Sequence, residues 1–383
     1  MQPLRIEPET SKADRAAFID LPYRLYRGHA VWVPPLRMAE RDMMNRAKNP
    51  FFEHAEVAHF LARRGNRVVG RIAAIENRLH NEVHEDRLGF FGFFDVEDDA
   101  EAAAGLLAAA RTWTEARGLG PLRGPVNYST NDACGVLIDG FDEPPMLLMP
   151  YNRADYDALL QGAGAEPVKE LLAYWIDSAN EAPERFRRVV TRRLKRSDIV
   201  LRPIDLKHFD REVLLLKDLY NRCWERNWGF VPATDAEFEH AAGDLKRLVA
   251  HELCAIAEKG GQPVGFSVFL RDLNRLLAGG NGSLFPTLWA KVLFGMGKVK
   301  HTRCALLGIV PEARGNAINE AFFLHAMDQA RAHGIHGAEA GWILEDNAAM
   351  RAPIEAAGGV ITKRYRMYEM GDAPAAATAP TGL

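Results

Sequence analysis

Two stretches half a chain apart follow one pattern, and a pattern repeated over that distance makes the chain two copies of a domain rather than a solenoid. Arg67-Val68-Val69-Gly70-Arg71-Ile72-Ala73-Ala74-Ile75 and Gln262-Pro263-Val264-Gly265-Phe266-Ser267-Val268-Phe269-Leu270 are each a polar turn, a valine–glycine step and a strand. Asn152-Arg153-Ala154-Asp155-Tyr156 and Asn347-Ala348-Ala349-Met350 each read as the opening of a short helix that runs into a glycine, Gly164 or Gly359. Gly70, Asn152 and Gly164 recur at one common offset as Gly265, Asn347 and Gly359. The halves carry loops of different length in different places, so the order of elements argues duplication more strongly than the spacing does.

The first unit is expected over residues 1–178. Ala55–Arg63 and Arg67–Glu76 read as a hairpin about Arg64-Gly65-Asn66. Gly89–Val96 is aromatic on both faces, as a central strand would be. A helix from Asp98 to Arg117, a strand near Pro121–Val126, the helix Asn152–Leu160 and a closing strand Leu171–Asp177 follow. Residues 179–198 link the units, and Arg185–Arg196 within them holds seven arginines and lysines in twelve residues. That helix is either a solvated basic face or a site for phosphate or anionic lipid. The second unit, 199–371, runs strand, helix, hairpin, a long insertion over Asp272–Thr302, then strand, helix, strand, helix, strand. Such an order implies an α/β sheet with helices on both sides. Residues 372–383, rich in Ala, Pro and Thr, read as a disordered tail.

Composition excludes more than it selects. A net charge of -3 carries no global sign of nucleic-acid binding. Cys134, Cys223, Cys254 and Cys304 have neither paired nor metal-ligand spacing, so no metal is expected and a reduced, cytoplasmic setting is. The start lacks an apolar signal core and no stretch reaches the ~18 apolar residues of a spanning helix.

The chemistry concentrates in Leu306-Leu307-Gly308-Ile309-Val310-Pro311-Glu312-Ala313-Arg314-Gly315-Asn316-Ala317-Ile318-Asn319. This stretch resembles the GNAT acyltransferase superfamily, whose motif is arginine or glutamine, two residues, glycine, one residue, then glycine or alanine. That loop joins a strand to a helix, so that backbone N–H groups and the helix N-terminus hold a coenzyme A pyrophosphate. Arg314 and Gly315 fit the motif; Ala317 and Asn319 stand where glycine or alanine is usual, and Asn319 is bulky enough to crowd the phosphates. The resemblance implies two tandem GNAT-like domains, each a mixed, mostly antiparallel sheet flanked by helices. It implies acyl-CoA as co-substrate with no permanent cofactor, held by Leu307, Ile309, Val310, Arg314, Gly315, Asn316, Ala317, Ile318, Asn319 and Asn347. Leu307–Val310 would meet the pantetheine arm across splayed strands, and Asn347 would lie near its thiol. Tyr365 or Tyr368 stands where many members place the tyrosine that protonates the departing thiolate, the alternative for each being a packed strand aromatic.

An amine nucleophile must lose a proton. Glu339, in a strand expected to be near-central, is the first candidate base, because a carboxylate there is costly unless partnered or functional. Glu345 and Asp346 come next, and a surface salt bridge is the plain alternative. The first half has only Val96-Glu97-Asp98-Asp99-Ala100-Glu101 at the matching place. Acid there would repel pyrophosphate, so that half is not expected to bind coenzyme A. It offers instead the polar loop Arg123–Gly135, either an ordered structural loop or a seat for a polar amine head.

Ser283–Lys300 is apolar, carries Trp289, Phe285 and Phe294, and is edged by Lys291, Lys298 and Lys300. It suits an interfacial helix, the wall of a long acyl tunnel, or a buried helix. Trp224–Pro232 would line the same cavity with aromatics. Phe90–Asp95, Gly124–Tyr151 and Glu339–Asn347 resemble the two-domain GNAT-like proteins encoded near bacterial sphingolipid genes, some of which act as bacterial ceramide synthases. That resemblance implies N-acylation of a sphingoid-base amine by a long-chain acyl-CoA or acyl-carrier protein, in the cytoplasm, with peripheral contact to the inner membrane. Two other readings stay open: a non-catalytic lipid- or protein-binding scaffold, and acyl transfer to a small polar amine or peptide.

Overall fold

The computed structural model describes residues 2–224 and 227–371, so the tail 372–383 lies outside the described residues. The first half holds β1 (Leu4–Pro8), α1 (Lys12–Leu25), α2 (Arg37–Met43), β2 (Ala55–Arg64), β3 (Arg67–Asn77) and α3 (Arg78–His84). It continues with β4 (Gly89–Val96), α4 (Ala100–Glu115) and β5 (Leu122–Gly124). The short β6 (Val126–Asn127), β7 (Ala133–Cys134) and β8 (Val136–Asp139) lead to α5 (Tyr156–Gly162) and β9 (Glu166–Asp177). The basic helix α6 (Glu184–Arg196) crosses to the second half: β10 (Ile199–Arg202), α7 (Phe209–Trp224), α8 (Asp235–Leu245), β11 (Ala255–Lys259) and β12 (Gln262–Arg271). The insertion forms α9 (Asn274–Leu277) and α10 (Leu288–Gly295). Then come β13 (His301–Ile309), α11 (Ile318–Ala332), β14 (Gly337–Leu344), α12 (Ala348–Ala356) and β15 (Val360–Met370).

Local chemistry accounts for the repeated features. Asp99 caps α4 by accepting from the Ala102 N–H, and the alanine–leucine face of that helix packs on β3. The valine–glycine step recurs because nothing larger fits. A Cβ at Gly70 would come within 2.7 Å of Leu106 on α4, and one at Gly265 within 2.9 Å of the Gly308 carbonyl. The helix expected from Asn152 begins later, at Tyr156. Asn152 instead accepts from the Leu137 N–H (2.6 Å) and donates to its carbonyl (3.1 Å), which ties β8 down.

The strands form one sheet in the order β1-β2-β3-β4-β5-β15-β9-β14-β13-β12-β11-β10, with β8 also on β15. Pairing is antiparallel except at β4–β5 and β13–β14, the mixed, mostly antiparallel sheet that the family resemblance implies. The last strands of the two halves are exchanged. β9 ends the first half yet pairs with β14 of the second, from Gly337↔Asp177 to Leu344↔Leu171. β15 ends the second half yet pairs with β5 and β8 of the first. No break in hydrogen bonding therefore separates 1–178 from 199–371. α1, α2 and α7 cover one face; α4, α5, α11 and α12 cover the other. No helix among the described residues is long and apolar enough to cross a membrane.

Candidate active site

Each half has one parallel strand pair that opens like a V. In the second half β13 and β14 stay paired from His301↔Gly337 to Cys304↔Ala340 and then part, beside a bulge in the β12–β13 pairing. The Val310 N–H bonds back to Val264 on the β12 side (3.0 Å), so by strand alternation the backbone groups of Leu307 and Ile309 face the opening. Val310, expected to share that role, is turned away from it. Its carbonyl also accepts from the Ala313 N–H.

Past the opening the chain makes a turn that leaves a helix end bare. Gly315 (φ 79°) and Ala317 (φ 63°) both take the left-handed conformation, and Ala317 caps α11 without any side-chain hydrogen bond. Space beside Gly315 is open, with no atom within 4 Å of where a Cβ would sit. A fifteen-residue helix with unsatisfied first-turn N–H groups is a ready seat for an anion. The Ala317 methyl is accommodated by packing on Val190 of α6. Asn319 is half-buried, with its Oδ1 unpartnered. Arg314, the motif's cation, is exposed, but its guanidinium donates to the carbonyls of Cys223 (2.7 Å) and Ile309 (3.3 Å). Positive charge arrives from elsewhere. Ser197, directly after α6, donates to Asn316 (2.8 Å), and Arg192, Arg193, Lys195 and Arg196 on that helix are exposed and carry no ion pair among the described residues.

The first half's V is closed. β4 and β5 pair only at Gly89–Phe90 with Leu122–Arg123, and the strand Val126–Asn127 fills the gap beyond. The Asn127 Oδ1 accepts from the Phe93 N–H (2.8 Å), and a Cβ at Gly92 would lie 1.6 Å from the Val126 carbonyl. At the start of α4, Arg64 pairs with Asp99 (2.6 Å) and Glu101 (2.7 Å), so the helix end carries its own anions.

Where β13 and β14 part, a charged cluster is buried. Glu339 is 2% exposed, opposite Arg303 in the parallel register, and its Oε1 has no partner. Burial pushes its carboxyl up, against the pull of Lys363 and Arg303. Arg303 is held by the carbonyls of Leu147 (3.0 Å) and Gly341 (2.8 Å). Tyr365 on β15 is fully buried with an unpartnered hydroxyl, and burial with the nearby Glu339 pushes its phenol well up. Tyr368 lies on the opposite face of the sheet, donating to Asp157. Of the two tyrosines, Tyr365 is the one beside Glu339. The other candidate carboxylates are elsewhere: Asp346 pairs with Lys169 (2.7 Å), and Glu345 accepts from the Glu170 N–H (3.1 Å). Asn347 caps α12, accepting from the Met350 N–H (3.1 Å).

Comparison with known proteins now bears on this geometry. The chain is 37% identical over 376 residues to the bacterial ceramide synthase of Caulobacter vibrioides (strain NA1000 / CB15N), covering 96% of this chain and 97% of that one. It belongs to the bacterial ceramide synthase family. This family's chain is also 34% identical over 365 residues to Protein YghO of Escherichia coli (strain K12), over 94% and 93% of the two chains. No family model matches. Among solved structures, a tandem GNAT protein from the clavulanic acid biosynthesis pathway aligns with a TM-score of 0.55 at 13% identity, covering 97% of this chain and 100% of that one. A GCN5-related N-acetyltransferase from Sphaerobacter thermophilus aligns with a TM-score of 0.51 at 12% identity, over 98% of each. The chain thus has the fold of tandem GNAT proteins, and its family makes it an N-acyltransferase.

The residues that sequence reasoning missed hold the site together from outside the motif. Arg303 reads as an ordinary strand residue, and Asn127 gives no sign that it plugs the first V. Their roles rest on partners in the other half or on another strand, which no local pattern records.

Proposed function

We propose that this chain transfers a long-chain acyl group from acyl-CoA, or from the same phosphopantetheine arm on an acyl-carrier protein, to the amine of a sphingoid-type base. The observation that carries this reading is that the β13–β14 opening lacks the plug that fills the β4–β5 one, with a bare helix end on one side of it and the buried Glu339 and Tyr365 near its apex. The near full-length relationship to a bacterial ceramide synthase supports the acceptor class.

In this reading the second half holds the donor. The α11 turn from Arg314 to Asn319 takes the pyrophosphate on its N–H groups, and Leu307 and Ile309 bond the pantetheine arm. The Asn347 side chain keeps its amide N–H₂ for the thiol end of that arm. The thioester then sits where β13 and β14 part, above Glu339. The amine lone pair attacks the carbonyl carbon, the C–S bond breaks, the nitrogen's proton passes to Glu339, and Tyr365 protonates the thiolate. Raised pKa values suit both roles: Tyr365 keeps its proton at neutral pH, and Glu339 binds one more readily than a surface carboxylate. The neighbouring Glu339 proton then restores Tyr365.

The insertion supports a lipid substrate. No residue of α10 is buried, and Phe285 (72%), Trp289 (43%), Leu293 (64%) and Phe294 (71%) stand exposed beside Lys291 and Lys298. An apolar face edged by cations fits peripheral contact with an anionic bilayer, where such substrates reside. Incubating the purified protein with palmitoyl-CoA and a sphingoid base tests the reading by mass spectrometry. An N-acyl product is expected, and absence of any amide with long-chain or polar amines overturns it.

A further inference from the structure

Glu339 as a base needs something to keep it charged. It is 2% exposed, and burial favours the neutral acid, which cannot take a proton from an amine. Arg303 lies opposite it on β13, yet the guanidinium is committed to the carbonyls of Leu147 and Gly341. A buried carboxylate in that position calls for a second cation.

The strand register supplies one. β9 runs between β14 and β15, and residues directly opposite one another in antiparallel strands share a face. Glu339 stands opposite Trp175, Lys363 opposite Ala173 and Tyr365 opposite Leu171. Trp175, Ala173 and Leu171 alternate onto the face of β9 that packs in the first half's core, so Glu339, Lys363 and Tyr365 stand together over that face. Lys363 reaches it through a bulge: the β9–β15 register slips between Ile361 and Lys363, and Ile361 packs on the opposite side of the sheet. Between Glu339 and Lys363 the sheet carries nothing longer than a methyl. Ala173 is the β9 residue there, and a Cβ at Gly341 of β14 would lie 2.9 Å from that of Ala173.

Lys363 is itself 3% exposed, and its amine makes no hydrogen bond or ion pair with any described residue. Three polar side chains, each more than nine-tenths buried, therefore share one patch: Glu339 with its unpartnered Oε1, Lys363, and Tyr365 with its unpartnered hydroxyl.

We propose that Lys363 is the positioning residue for the base: its ammonium keeps the Glu339 carboxylate charged between turnovers, ready to take the proton of the acceptor amine. This deepens the acyl-transfer reading and rests on it for the role of Glu339. Lys363 keeps its own proton throughout. The N–C bond forms and the C–S bond breaks, the nitrogen's proton goes to Glu339, and the thiolate takes the Tyr365 proton, which Glu339 then restores.

The groups that face Glu339 are Lys363 and Tyr365 on β15, Arg303 on β13, Asp272 after β12 and Arg275 on α9, with His301 of β13 against Trp175 (5.5 Å between ring centres). Burial raises the Glu339 carboxyl first; Lys363 is the strongest opposing charge, ahead of Arg303, and Asp272 works against both. Asp272 is in turn paired with Arg275 (3.3 Å). Burial, then Arg275, pushes the His301 imidazole down to about 4, so it stays neutral over the range measured below. Losing the Lys363 charge removes the main counterweight to burial. The carboxylate then takes up a proton at higher pH, and the base is lost from the acid side upward.

The experiment uses the full-length protein with palmitoyl-CoA and sphinganine. Lys363→Met keeps most of the apolar stem and drops the charge. It should move the acid limb of kcat/KM to higher pH, so that activity falls about 10-fold or more near pH 6 and recovers toward the wild-type value near pH 9, the reach of one opposite charge in a buried site. The KM for palmitoyl-CoA should stay unchanged, and Lys363→Arg, which keeps the charge, should keep the wild-type limb. An unmoved limb in Lys363→Met overturns the proposal, and so does a limb that moves equally in Lys363→Arg. Melting temperatures at pH 7 need no turnover. Lys363→Met should lower the melting temperature of the wild type but raise that of Glu339→Gln, where the ammonium has already lost its partner. Should Lys363→Met fail to fold alone, the double variant decides: a lower melting temperature than Glu339→Gln, or no fold, overturns the proposal. A wild type without turnover but with this melting pattern would sink the acyl-transfer reading and leave the Lys363–Glu339 partnership standing.

Discussion

At the residue scale, Glu339 and Tyr365 are separated from similar neighbours by the face of the sheet each occupies. Both have unpartnered oxygens in a buried cluster, whereas Tyr368 is bonded to Asp157 on the other face. Glu339→Gln should leave acyl-CoA binding intact and lower turnover by about 10²–10⁴-fold, the usual reach of a positioned acid or base. Steady-state kinetics with calorimetry checks both halves of that expectation. Tyr365→Phe should also lose turnover, while Tyr368→Phe should cost about 1 kcal/mol of stability, one hydrogen bond, with turnover kept.

At the scale of single elements, the α11 turn depends on backbone shape more than on side-chain charge. The Arg314 guanidinium is tied to the Cys223 carbonyl, so the N–H groups after Gly315 and Ala317 would meet the phosphates. Gly315→Val puts a β-branched residue at φ 79°, which is strained whatever the space, and should weaken coenzyme A binding by calorimetry while the fold persists. Unchanged affinity would move the pyrophosphate elsewhere. In α10, Trp289→Ser with Phe294→Ser should weaken palmitoyl donors far more than acetyl ones and reduce binding to anionic liposomes, since each methylene moved out of water contributes ~0.8 kcal/mol. Equal loss for both donors, with liposome binding unchanged, would reduce the face to ordinary packing.

At the scale of the whole molecule, the exchanged strands make the halves interdependent. β15 supplies backbone partners to β5 and β8, and β9 supplies them to β14. Deleting the chain from Val360 onward should therefore expose the first half's sheet as well as the second's. Calorimetry of the intact protein should show one transition rather than two, because neither half completes its hydrogen bonding alone. Two well-separated transitions would mean that the halves are stable without the exchange. The same arrangement draws Arg303 and Tyr365 from different strands to the neighbourhood of Glu339.

Most of the secondary structure was legible in the residues. The hairpins at 55–76 and 255–271, the α4 and α11 helices and the strand–turn–helix at Arg314 are local, set by alternation, glycine placement and helical spacing over a few neighbours. The acidic stretch at Asp98–Glu101 was legible as charge, but its pairing with Arg64 on β2 was not. Strand exchange was not legible, because alternation marks a residue as strand without naming which edge it joins. The same limit hid the split between Tyr365 and Tyr368, the Arg314 bond to Cys223 and the Thr130 bond to Gly229. Each of these depends on a partner more than ninety residues away, or on a face of the sheet that exists only once distant strands have paired. The paired hairpins, the strand–turn–helix at Arg314 and the strand that carries Glu339 were determined by the sequence alone. Which strand pair stays open and which tyrosine lies beside Glu339 were decided by packing between the halves, since burial and desolvation arise only when the chain closes on itself.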